Sequence, residues 1–82
     1  MVLTREDFKP LISEALVELG GEAAIFQVSK YVWDNYHHKI SKSEKLLYTW
    51  QYDIRWAAQQ LRDEGKLYKG SELKRKGIWK LK

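Results

Sequence analysis

Apolar residues recur along most of this chain at helical spacing, and only near its end does the period shorten to two. Phe8, Leu11, Ile12, Ala15, Leu16 and Leu19 fall on one side of a helical wheel. Pro10 suits a first turn and Thr4-Arg5-Glu6-Asp7 reads as a capping turn, so helix 1 is predicted over about 9–19, with Gly20-Gly21 ending it. Glu22–Ile25 is short enough for a small strand. Val28, Tyr31, Val32 and Tyr36 form a second stripe, predicting helix 2 over about 26–36. Trp33 lies off that stripe and is expected to pack on a neighbouring loop. The stretch His37–Leu47, HHKISKSEKLL, reads as a polar connection in which Ser41 or Ser43 caps a short turn carrying Leu46 and Leu47.

The third stripe is the longest. Trp50, Ile54, Ala57, Ala58 and Leu61 share one side of a helix predicted over about 49–64, with Thr49 as its cap and Gly65 as its stop. Beyond Gly65 the alternation of a strand takes over. A hairpin is predicted over about 66–81, with Leu67 inward, Trp79 and Leu81 sharing one face, and Tyr68 opposite Ile78. Helix, short strand, helix, long helix, hairpin is an α+β, mainly α order. It is the order of a winged helix-turn-helix: three helices plus a small antiparallel β-hairpin wing, in one domain covering residues 1–82.

Composition sharpens this. A chain of 82 residues is one domain and must use its core fully, and four Trp, five Tyr and two Phe serve that need. The absence of Cys excludes disulfides and thiolate metal sites. No apolar run resembles a signal peptide or a membrane span, so an intracellular, cytoplasmic protein is expected. The net charge of +4 is uneven: residues 1–36 carry six acids and three bases, while residues 66–82 carry seven bases and one acid. An acidic start and a basic end give a preferred side for a polyanion.

The polar side of helix 3 is where chemistry concentrates. Tyr48, Gln51, Tyr52, Arg55 and Gln59 lie there, with Arg62 among them. Arg and Gln side chains can make paired contacts to base edges in a major groove. Lys69, Lys74, Arg75 and Lys76 on the wing are candidates for phosphates, with Lys39, Lys42 and Lys45 as weaker ones. Trp56 lies off the core stripe and is expected to pack under the wing. No nucleophile and base, Gly-rich phosphate loop or cofactor motif is visible, so no enzyme is expected. His37-His38 are adjacent and chelate poorly, so no metal is expected either.

Four short patterns carry a resemblance: Leu16-x-x-Leu19-Gly20-Gly21-Glu22, Ile54-Arg55-Trp56-Ala57-x-x-x-Leu61, Glu64-Gly65-Lys66-Leu67 and Lys76-Gly77-Ile78-Trp79-x-Leu81. Together they resemble the N-terminal winged-helix domain of Mrr-like restriction endonucleases, over about Phe8 to Lys82. The resemblance implies a DNA-binding module related to restriction-modification, next to a separate nuclease domain that cuts modified DNA. No nuclease domain is present here. Glu72-Leu73-Lys74 spells the Glu-x-Lys of metal-dependent nucleases, but without the upstream acid that completes a metal site. The expected partner is therefore duplex DNA, with a homodimer or a fused or separate catalytic partner raising affinity. The alternative is a winged-helix protein–protein interaction module that uses exposed aromatics.

Overall fold

A computed structural model describes residues 3–69, 73 and 77–82. Its first element is a 3-10 turn, Arg5–Asp7, opened by Thr4, whose backbone N–H donates to the Asp7 carboxylate at 2.7 Å. Helix α1 follows directly, Phe8–Glu18, and buries Phe8, Ile12, Ala15 and Leu16. It stops because Gly20 takes a left-handed φ of 94°. That turn lets the Gly20 and Gly21 N–H groups return to the carbonyls of Val17 and Leu16. Gly65 ends the last helix in the same way, with φ of 78° and bonds from Gly65 to Arg62 and from Lys66 to Leu61.

The middle of the chain departs from expectation. Helix α2 runs Ile25–Ser41, past the predicted end at 36, and helix α3 runs Glu44–Asp63, starting ahead of the predicted Thr49. The polar connection over His37–Leu47 is therefore mostly helix, and only Lys42 and Ser43 separate α2 from α3. The cause is Ile40. It extends the spacing Val28, Val32, Tyr36 by one further turn and is fully buried, while the polar residues around it face solvent. Ser43 supplies the cap for α3, its Oγ accepting from the Leu46 N–H, and Leu46 is buried one turn later. Thr49 is an interior residue whose hydroxyl donates to Asp53 at 2.7 Å.

Strand β1, Glu22–Ala24, pairs antiparallel with strand β2, Ile78–Lys80, placing Ala23 opposite Trp79. On the other side of β2, Leu67 forms an antiparallel bridge with Leu81, and the Tyr68 N–H donates to the Lys80 carbonyl at 3.0 Å. Tyr68 thus sits opposite Lys80, not Ile78. The two arms expected for the hairpin do meet; its basic tip lies outside the described residues. Leu67 and Trp79 turn into the same core as α1, α2 and α3. The result is mainly helical, with a small antiparallel sheet whose first strand packs against α1 and α2. No described helix is long and apolar enough to cross a membrane.

Candidate nucleic-acid interface

Helix α3 has two unlike sides. Ile54, Ala57, Ala58 and Leu61 are buried, which fixes how the helix is rotated about its axis. Asp53, also buried, adds a polar tie: its carboxylate accepts from Arg5 at 3.3 Å as well as from Thr49. The Arg5 guanidinium in turn lies 4.3 Å from the centroid of the Trp56 ring. Trp56 is thus covered by the N-terminal turn rather than by the wing. On the other flank Trp33 stacks on Trp50 of α3, centroids 5.3 Å apart and planes 20° apart, rather than on a loop.

The rotation leaves Tyr48, Gln51, Tyr52 and Arg55 exposed on the outer side, Tyr48 by 82% and Tyr52 by 69%. None of these four has a hydrogen-bond, ion-pair or ring partner among the described residues. Gln59 is different. Its amide donates to Asp63 at 3.0 Å and its oxygen accepts from Arg62 at 3.4 Å, so both ends are engaged along the helix. Arg62 folds down with its Nε buried, and that atom has no hydrogen-bond partner. The unpartnered part of the outward set expected from the sequence therefore narrows to residues 48–55 of α3.

Two grooves border this outer side. One, of about 660 Å³, runs between the N-terminal segment at Leu3–Arg5 and Lys45, Tyr48 and Tyr52. The other, of about 460 Å³, lies between the start of α2 and α3, lined by Ile25, Phe26, Ser29, Gln51, Arg55 and Gly77. Phe26 was not among the sequence candidates, yet it is 72% exposed. The signal was available, since Phe26 lies nearly opposite Val28 on the wheel of helix 2.

The basic candidates are spread around this face. Lys45 is in the first turn of α3, Lys42 caps α2, and Lys39 sits within α2 with its ammonium 5.7 Å from the Tyr36 ring. Lys69 is exposed just past the Leu67 bridge. Lys74, Arg75 and Lys76, with Glu72, lie outside the described residues. Two lysines that the sequence reading passed over, Lys80 and Lys82, flank the Tyr68 ring at 5.5 and 5.7 Å.

The far side of the molecule is acidic and internally paired. Glu14 of α1 accepts from the Tyr36 hydroxyl at 2.6 Å and from the Tyr31 hydroxyl at 3.1 Å. The bond to the Glu14 carboxylate, reinforced by burial, pushes Tyr36 up to about 12. Burial, then the same carboxylate, raises Tyr31. At the end of α3, Glu64 lies between Lys9 of α1 and Lys66; the hydrogen bond from Lys9 comes first in holding its carboxyl below the ordinary value. His37 directs Nδ1 at the Trp33 carbonyl, 3.0 Å away, and no metal-type cluster of three His, Cys, Asp or Glu occurs among the described residues. Comparison with protein-family models, with curated proteins and with solved structures finds no match to this chain.

Proposed function

We propose that this chain is a DNA-binding winged-helix module that sets α3 in the major groove of a duplex and the basic wing along the backbone. In this reading α2 and α3 are the helix-turn-helix, and the segments around Leu67 and Leu81 are the stems of the wing. The observation that carries it is the set of unpartnered side chains on the outer side of α3. Among the described residues, Arg55 and Gln51 present a guanidinium and an amide with no acceptor or donor to satisfy them, on a helix whose rotation is fixed by its buried side. Such groups suit base edges, while the lysines around them suit phosphates. The resemblance to the Mrr-like N-terminal domain points the same way, toward the targeting part of a restriction or regulatory system.

The test is fluorescence anisotropy with a labelled random-sequence duplex at about 50 and 200 mM salt. Expected is binding in the micromolar range, typical of non-specific contacts, that weakens steeply at the higher salt. No binding at the lower salt overturns the proposal. A second reading has its own observation: Phe26, Tyr48 and Tyr52 are large apolar side chains left in water, as in a protein–protein contact patch. Failure of every duplex to bind, with self-association that Tyr48→Ala abolishes, would favour that reading.

A further inference from the structure

Phe26 and Arg55 line the same groove, and no described residue accounts for the exposure of either. Phe26 keeps most of its ring in water at the first turn of α2. Arg55 projects from the outer side of α3 and has no partner among the described residues. Gln51 and Ser29 also line it, and none of the described residues lining it is acidic. A groove whose described lining offers one apolar plate and one fork of N–H donors is complementary to a particular pair of base edges. In the major groove, guanine offers two acceptors, O6 and N7, that match a guanidinium, and thymine offers the one methyl group. That methyl lies toward the outer edge of the groove, near its own strand's backbone. The start of α2 lies beside α3 at Gln51 and Arg55.

We propose that Phe26 and Arg55 act together to read a thymine next to a guanine on one strand, the ring covering the thymine methyl and the guanidinium taking guanine. This rests on the DNA-binding reading above and adds to it the base step that the site prefers. Arg55 supplies the polar half of the selection. Phe26 supplies a shape and hydration term that distinguishes thymine from the other pyrimidine.

The experiment has two stages. Duplexes with a randomised centre are selected on the wild-type protein and on Phe26→Ala and Arg55→Ala; both residues are exposed, so both variants keep the core intact. The selected duplex is then compared by anisotropy with one carrying deoxyuridine for thymine, which removes only the methyl, and one carrying 7-deazaguanine, which removes N7. The wild type is expected to select adjacent thymine and guanine. It should lose about fourfold in affinity with deoxyuridine, the effect of one buried methyl, and about tenfold with 7-deazaguanine. Phe26→Ala should no longer distinguish thymine from deoxyuridine, and Arg55→Ala should no longer respond to 7-deazaguanine. Equal affinity of the wild type for thymine and deoxyuridine duplexes overturns the inference, as does a thymine preference that survives in Phe26→Ala. Duplex binding without these differences leaves the DNA-binding reading in place, whereas no duplex binding removes both.

Discussion

The two sides of this small protein treat their polar groups in opposite ways. On the α1–α2 side, Glu14 is shared by Tyr31 and Tyr36. On the outer side of α3, the side chains of Tyr48, Gln51, Tyr52 and Arg55 are without partners among the described residues. A side chain already paired with its own protein must give up that bond before it can bind anything else, and the unpartnered one exchanges only water. The same residue types thus mean different things on the two sides. Tyr36 is a structural strut, whereas Tyr52 is exposed and has no partner among the described residues. Gln59 and Gln51 make the contrast within one helix, since only Gln51 has its amide open to solvent.

Substitutions can break or sharpen that contrast. The largest effect is expected at the core that both sides share. Ile54→Ala removes a fully buried side chain behind the outer face, and should lower unfolding free energy by about 2–5 kcal/mol in a urea titration. The next concerns the basic tip of the wing. Changing Lys74, Arg75 and Lys76 together to Glu should reduce duplex affinity by on the order of a hundredfold or more, with an unchanged circular dichroism spectrum. Unchanged binding there would remove the wing from the proposed interface. Arg55→Ala should weaken binding about tenfold while the melting temperature stays close to that of the wild type. A large fall in melting temperature would mean that Arg55 is a structural group like those on the far side.

The smallest effect is the most diagnostic of the paired side. In an ultraviolet titration of the tyrosines, Tyr36 should ionise near 12, late compared with the ordinary value of 10.0. Glu14→Gln should bring it back toward that ordinary value and leave duplex binding unchanged. The sign for stability follows from the raised value. Because the folded protein holds the Tyr36 proton more tightly than the unfolded chain, this contribution is complete below about pH 10 and is lost as pH rises through 12.

The sequence disclosed the helix ends marked by glycine and the buried stripes, since both depend on local geometry that residue type dictates. Gly20, Gly65 and the Ile54–Leu61 stripe are examples. It misled over His37–Leu47, where polarity looked like a loop and a single Ile40 at the right period was enough to continue a helix. The outer face of α3 was legible for Tyr48, Gln51, Tyr52 and Arg55. The engagement of Gln59 depends on the side-chain conformations of Arg62 and Asp63, which spacing alone does not specify. Arg5 reaching Asp53 and Trp56 joins residues far apart in the chain, and no local pattern announces it. Phe26 was visible as an off-stripe aromatic but lacked meaning until α3 was placed beside it.

The two-residue joint between α2 and α3 also has a bearing on how the chain can vary. Lys42 and Ser43 are all that separate two long helices, and both are already committed, Lys42 as the end of one and Ser43 as the cap of the next. Such a joint has no slack. Each residue added to a helix turns everything beyond it by about 100°, so a one-residue insertion here would swing Arg55 away from Phe26 or pull Ile54 out of the core. Side chains on the outer face can be exchanged one at a time, but the phase between the two helices is a single inherited quantity. For the proposed interface, new preferences are therefore open through point changes on α3, and closed through changes in the length of the joint.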